Sequence, residues 1–513
     1  MQPWQLGAAE AAELIRKKEL SPVELTDSCL ERIDSLDGEL RAWVTVDADG
    51  ARLAASALQG RIAAGDLPGR LAGVTVGVKD VIDVAGLPTT ASSRVLAAAG
   101  PAQQDASCIA RLRQTEVSIL GKLHTAEFAC ADPPPTQNPW NAAHTPGGSS
   151  SGSGVAVATG MVAAALGTQT GGSTLRPASY NGVVGLKPSY GMISNRGVIP
   201  VAWSLDHVGI IARSVTDAAM VLGSLAGHDP LDLSSSPRAD EYLAPESAGD
   251  KAPVIGLIRP FFLERCEPDV LRHTLDVAGR LEAFGARVRE IDLPASFGAL
   301  VASASLILRT EMYTYHRTQF AECRDLYGPL NTATLDTGSR TTAAEYVLAM
   351  RQRPGLVADL EQSLAGVDIA LTPGTPAPAP GTRARQAMPR SRARGHARAF
   401  RRSPCLLELT NGVSLLAFSW SVTGGTTPHC CAMRCGASAS SASRDIRLAG
   451  CRHRGDLSLW RHHLVHGRSL LWGDFPNPIR RRIPQDRNRH APVRGPRRWA
   501  IGSGTCAVIA GYG

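Results

Sequence analysis

Over roughly the first 380 residues, stretches with apolar positions at helical spacing take turns with short runs that are apolar throughout. Ser21-Pro22-Val23-Glu24 joins a capping box to a proline at the first helical position. Val23, Leu25, Leu30, Ile33 and Leu36 then recur at roughly helical spacing, which predicts a helix lying on a core. Residues 71–78 are apolar and β-branched and run into Lys79-Asp80, the pattern of a buried strand entering a loop. Residues 106–114 predict a helix and 117–121 a strand. The Ala/Val/Gly-rich stretch 153–166 is polar on no face and predicts a fully buried helix close under other backbone. Further on, 215–225, 268–284, 343–350 and 356–364 read as amphipathic helices, alternating with short strands at 254–258, 288–291 and 368–372. Such alternation predicts an α/β fold with a sheet covered on both faces.

Past about residue 380 the pattern stops, and charge shows why this matters. The net charge of +8 over 513 residues is unevenly spread. Residues 383–513 hold 23 arginines, no lysine and five acidic residues, a net +18, so residues 1–382 carry −10. The tail also holds six of the eleven cysteines and the run Arg480-Arg481-Arg482. A basic arm selected for nucleic acid mixes Lys with Arg. The composition therefore points to translation in a wrong frame of a GC-rich gene, with a disordered extension as the alternative, and to no specific nucleic-acid partner. The division expected is a body over 1–382, incomplete at its C-terminal end, and a tail over 383–513.

The other cysteines, Cys29, Cys108, Cys130, Cys266 and Cys323, are scattered without paired spacing. Met1-Gln2-Pro3-Trp4-Gln5 lacks the basic and apolar regions of a secretion signal, and no apolar run reaches the roughly 18 residues of a membrane span. These features predict a cytoplasmic protein without a membrane partner.

Candidate chemistry concentrates upstream of residue 188. One glycine-serine turn reads Pro146-Gly147-Gly148-Ser149-Ser150-Ser151-Gly152, and a second reads Thr168-Gln169-Thr170-Gly171-Gly172-Ser173-Thr174-Leu175-Arg176. Lys79 ends the apolar run 74–78. An amide is a poor electrophile with a poor leaving group, so its cleavage needs an activated nucleophile, oxyanion donors and a proton for the departing amine. Ser173 follows two glycines, whose backbone N–H groups can turn inward and approach a carbonyl closely. That makes Ser173 the candidate nucleophile and the N–H groups of Thr170, Gly171, Gly172 and Ser173 the candidate oxyanion hole. Gly-Gly-Ser alone is weak evidence, since flexible turns use it constantly. Lys79 is the candidate base. An amine with an ordinary pKa of about 10.4 must lose its charge near neutral pH, about 4 kcal/mol of differential interaction, which burial can supply. His124, His144 and His207 lie in different contexts without a clear Asp orienter. Asp206 beside His207 means little, because neighbours in a strand point to opposite faces. Gly148-Ser149-Ser150-Ser151-Gly152 also matches the G-x-S-x-G elbow with Ser150 as nucleophile, but the elbow follows a strand and this one follows a loop. Arg176 lies close enough after Ser173 to face the acyl pocket, where a guanidinium holds a carboxylate bidentately. A structural arginine satisfying loop carbonyls is the alternative.

The run 147–222 resembles the amidase signature family, and the match extends from about residue 20 to about residue 380. It rests on Gly77-Val78-Lys79-Asp80, Asn138-Pro139-Trp140-Asn141, Pro146-Gly147-Gly148-Ser149-Ser150, Thr170-Gly171-Gly172-Ser173, Gly182-Val183-Val184-Gly185-Leu186-Lys187-Pro188 and Ser204-Leu205-Asp206-His207-Val208-Gly209. The resemblance implies a triad of Ser173, cis-Ser149 and Lys79, with the cis peptide between Gly148 and Ser149. It implies a single α/β domain in which a large mixed β-sheet is sandwiched between α-helices. It further implies hydrolysis of a small carboxamide through an acyl-enzyme, with no metal or other cofactor, and leaves a homodimer open. Many members, including the amidotransferase subunit that acts in glutaminyl-tRNA synthesis, place Arg two residues after the nucleophile. Arg176 stands three after, as in free-standing amidases. That subunit is the alternative reading, and an inactive product with a truncated fold is another. The family's usual closing segment is not legible after residue 383.

Overall fold

The computed structural model describes residues 2–239 and 252–382, together with the backbone of Leu415–Phe418. In chain order the first elements are α1 (Ala8–Arg16), α2 (Pro22–Leu40), β1 (Trp43–Val46), α3 (Ala48–Ala63), β2 (Thr75–Lys79), α4 (Ser107–Arg113) and β3 (Ser118–Leu123). Then come α5 (Ser151–Ala158), β4 (Ala164–Gln169), α6 (Leu175–Asn181), β5 (Val184–Leu186), β6 (His207–Ala212) and α7 (Val215–Leu225). The remainder is β7 (Val254–Ile258), α8 (Pro268–Ala283), β8 (Arg287–Ile291), α9 (Phe297–Cys323), α10 (Pro329–Gly338), α11 (Ala343–Ser363), β9 (Ile369–Pro373) and β10 (Leu415–Phe418).

The α/β architecture expected from the alternation is present. Six strands form a mixed sheet in the order β1-β3-β2-β4-β6-β5, with β3-β2-β4 parallel and the outer pairs antiparallel. Four more form a parallel sheet, β10-β9-β7-β8. Side chains alternate across the six-stranded sheet, so each face has its own core. On one face Val76, Val78, Leu166 and Ile210 pack with Ile109 and Leu112 of α4 and Val221 and Leu225 of α7. On the other, Leu123, Ala165 and Ile211 pack with Leu25 and Leu30 of α2, Leu58 of α3 and Val155 of α5. The capping box at Ser21 forms as expected, its hydroxyl accepting from Val23 and Glu24.

The helix expected over 153–166 does not exist as one element. Helix α5 ends at Ala158, Gly160 takes φ +75°, and the chain turns back into β4. A short run of small apolar residues suits a buried helix and a buried strand equally, and periodicity alone cannot separate them. The two helices expected over 343–350 and 356–364 are one, α11, which carries Pro354 within it. The expected frame-shifted or disordered tail over 383–513 falls outside the described residues, apart from Leu415–Phe418. That segment pairs in parallel with β9 and gives the smaller sheet an edge strand that the sequence pattern does not announce.

Candidate active site

Lys79 is the last residue of β2, the strand between β3 and β4, and is fully buried. Its register partner on β3 is Leu123, which places it on the face that α5 covers. There its Nζ stands 2.7 Å from Ser149 Oγ and 2.7 Å from Thr168 Oγ1. Burial pushes the amine well below the ordinary lysine range, while the negative field of Asp206 works in the opposite direction. Lys122, the other buried lysine nearby, pairs in register with Val78 and so lies on the opposite face, 3.0 Å from Asp80 Oδ1.

The Ser149 turn precedes α5, and the peptide bond between Gly148 and Ser149 is cis, as the resemblance implies. The Ser149 carbonyl accepts from Ala126 N–H at 2.9 Å. The Ser173 turn leaves β4 and enters α6, and Gln169 Oε1 caps that entry by accepting from Thr174 and Leu175 N–H at 3.0 and 3.1 Å. The two turns are stitched together where Ser150 N–H donates to the Ser173 carbonyl at 3.1 Å. Two glycines make room for this approach. A Cβ on Gly167 of β4 would meet Ser150 Oγ at 2.8 Å, and one on its register partner Gly209 of β6 would meet Thr174 Oγ1 at 2.3 Å. A larger residue at either position requires the Ser150 or the Thr174 side chain to give way.

Among the described residues, the N–H groups of Gly171, Gly172 and Ser173 and the Ser173 hydroxyl have no hydrogen-bond partner within the fold. A Cβ on Gly171 would meet nothing within 4 Å, so this part of the loop borders open space. Ser150 differs. It is fully buried, and its hydroxyl is engaged with the Thr168 carbonyl and N–H, both at 3.3 Å. The histidines are also engaged, His124 Nδ1 with Ser92 Oγ, His144 Nδ1 with the Ala379 carbonyl and His207 Nδ1 with the Leu205 carbonyl. Burial pushes His124 below and His207 well below the ordinary imidazole range, so neither is built to carry charge.

Arg176 lies against both glycine turns. Its guanidinium is buried and donates to the carbonyls of Gly148 at 2.9 Å and Gly171 at 3.3 Å. It thus ties the two glycine turns together, the role set against the carboxylate role above. Two further residues join the site that the sequence patterns do not single out. Thr168 shares the Lys79 amine with Ser149. Asp206 accepts from the Thr170 hydroxyl. A signal for the first exists in Thr168-Gln169-Thr170, a polar run closing an apolar strand. The second is hidden because its sequence neighbour is His207, whereas its actual partner is 36 residues away.

The family profile described as Amidase matches residues 24–396. The A subunit of glutamyl-tRNA(Gln) amidotransferase from Geobacter sp. (strain M21) is 37% identical over 411 residues, covering 74% of this chain and 84% of that protein. Among solved structures, an amidase superposes with a TM-score of 0.66 at 32% identity, over 74% of this chain and 84% of its own. A peptide amidase in complex with the competitive inhibitor chymostatin superposes with a TM-score of 0.63 at 29% identity, over 73% and 85%.

Proposed function

Because the chain belongs to the amidase family, we propose that it hydrolyses the C–N bond of a small carboxamide through an acyl-enzyme on Ser173. The observation that carries this reading is the Lys79–Ser149 contact at 2.7 Å, buried beneath the turn that presents Ser173. In the proposed reaction the neutral Lys79 amine takes the Ser149 hydroxyl proton. Ser149 takes that of Ser173, and the Ser173 oxygen bonds to the amide carbon. The N–H groups from Thr170 to Ser173 receive the negative charge that develops on the carbonyl oxygen. The proton then travels back along the same path to the leaving nitrogen, the C–N bond breaks, and ammonia or an amine departs. Water, deprotonated by the same relay, attacks the Ser173 ester and releases the acid. Catalytic hydrogen bonds are long or absent in many unliganded sites and tighten with substrate bound. The direct contact between the Ser149 and Ser173 hydroxyls belongs to that complex.

Arg176 enters this proposal as the tie that holds Gly148 and Gly171 in register. The reaction needs no cofactor, since the base, relay, nucleophile and donors are all side chains or backbone of this chain. A second reading is favoured by the name of the curated relative, in which the chain is the A subunit of a tRNA-dependent amidotransferase. The two separate in one assay. As a free-standing amidase the purified chain releases ammonia from simple carboxamides alone, whereas within an amidotransferase it hydrolyses glutamine only with its partner subunits present.

A further inference from the structure

Asp206 is a buried acid beside the reacting groups for which the proposed relay has no task. Its carboxylate is held on both sides. Oδ2 accepts from the N–H groups of Val201 at 2.7 Å and Ala202 at 2.9 Å, and Oδ1 accepts from the Thr170 hydroxyl. Its own carbonyl accepts from Asn195 Nδ2 at 2.9 Å. Thr170 is the first residue beyond β4 and the first of the loop that ends in Ser173. A hydrogen bond to a carboxylate is roughly twice as strong as a neutral one and fixes its donor tightly.

We propose that Asp206 is the positioning residue of the nucleophile loop, gripping the Thr170 hydroxyl and so setting where the Gly171–Ser173 donors and the Ser173 hydroxyl stand. The inference rests on the reading of Ser173 and Lys79 given above. The carbonyls of Gly171, Gly172 and Ser173 are held by Arg176 and Ser150, but Gly172 sits at φ +103° and a side chain on Gly171 would touch nothing, so these two residues bring no side-chain packing of their own to the loop. Two glycines follow Thr170, so the side-chain anchor at the start of the loop acts together with those carbonyl contacts to set where the donors stand.

The same carboxylate has an electrostatic consequence. Burial favours the neutral Lys79 amine, and the Asp206 charge restrains that fall. A base pushed too low holds its proton too weakly to take one from a serine. Other titratable groups packed around β2 are otherwise occupied. Lys122 on β3 faces Asp80 on the opposite side of the sheet. Glu127 accepts from Ser93, Gly328 and Asn331. The Cys130 thiol is pushed up to about 12 by burial, and His207 on β6 is held neutral by burial. Neither β4 nor α5 carries an ionisable side chain.

The two effects come apart in a pair of variants assayed on a simple carboxamide across pH. Asp206→Asn removes the charge but keeps an acceptor for Val201 and Ala202. Losing an anion lowers the pKa of Lys79, so the acid limb of kcat/KM is expected at lower pH than in the wild type. Thr170→Val keeps the charge and removes the grip. It is expected to lower kcat about 10- to 100-fold, as misplaced reacting groups do, with KM little changed and the acid limb unmoved. Thr170→Ser, which restores the hydroxyl, is expected to recover most of kcat. An Asp206→Asn profile with an unmoved limb overturns the electrostatic part. Wild-type kcat in Thr170→Val, or a Thr170→Val defect that Thr170→Ser does not repair, overturns the positioning role, and this arm stands even if Asp206→Asn does not fold. Failure of the underlying reading looks different, because then the wild type releases no ammonia from carboxamides or Lys79→Ala remains active.

Discussion

Lys79 and Ser149 are 70 residues apart in the chain, yet the amine nitrogen of one stands 2.7 Å from the hydroxyl oxygen of the other. Their meeting follows from sheet order. Strand β2 lies between β3 and β4, and helix α5 returns across the face that Lys79 occupies, carrying the Ser149 turn at its start. The contact is sealed from solvent, with Lys79 fully buried and Ser149 nearly so. A charge taken out of water is costly unless paired, and Lys79 has two hydroxyls in contact rather than a carboxylate. The neutral amine is therefore the form this site favours.

Replacing Lys79 with Ala is expected to lower kcat by roughly two to four orders of magnitude on any carboxamide, since loss of the base also disables Ser149. A fall of less than about tenfold makes the lysine structural.

The pH dependence has a defined sign. Lys79 must be neutral to accept a proton, so kcat/KM is expected to rise with pH through a value well below the ordinary lysine range and then level off. Stability follows the same group. Between its lowered folded pKa and its ordinary unfolded one, the unfolded chain binds the extra proton, so stability increases as pH rises through that window. Thermal melts of the wild type and Lys79→Met should therefore converge in their difference as pH climbs from neutral towards about 10.4. A difference in Tm that is constant with pH contradicts the buried neutral amine.

Gly209→Ala and Gly171→Ala make a contrast of space. The first drives a methyl into the Thr174 side chain and is expected to destabilise the fold by about 1–3 kcal/mol while displacing the Ser173 turn and lowering kcat. The second meets open space and is expected to leave stability within about 0.5 kcal/mol of wild type. Its methyl should raise KM for bulky amides more than for acetamide. Equal thermal destabilisation in both variants contradicts the packing described.

Much of this site is legible in the sequence, and what is not has physical reasons. Lys79, Ser149 and Ser173 stand out because glycine turns and a charge closing an apolar strand are local signals. The register that places Gly167 opposite Gly209, and the grip of Asp206 on Thr170, are long-range facts that no local pattern encodes. The turn at Gly160 that splits 153–166 into α5 and β4 is hidden because small residues serve helix and strand alike. The 27-residue helix α9 is not announced by the pattern, although Leu300, Ile307 and Met312 are buried along it. Polar residues in its covered face, Glu311 and His316, interrupt the apolar period because they bond Ser204 and Tyr327. Reading the coding DNA in all frames around residues 380 to 405 tests the frame-shift expectation for the tail directly.

Arg176→Ala is expected to lower kcat on neutral amides and on amides bearing a nearby carboxylate alike, because both glycine turns lose their tie. A rise in KM confined to the carboxylate-bearing substrates contradicts this and supports the substrate-binding role expected from the sequence.

The central claim is that Ser173 is the residue acylated. Incubation of the full chain with a fluorophosphonate probe, followed by peptide mass spectrometry, is expected to place the adduct on Ser173, and Ser173→Ala is expected to abolish it. An adduct on Ser150, or labelling that survives Ser173→Ala, contradicts the account.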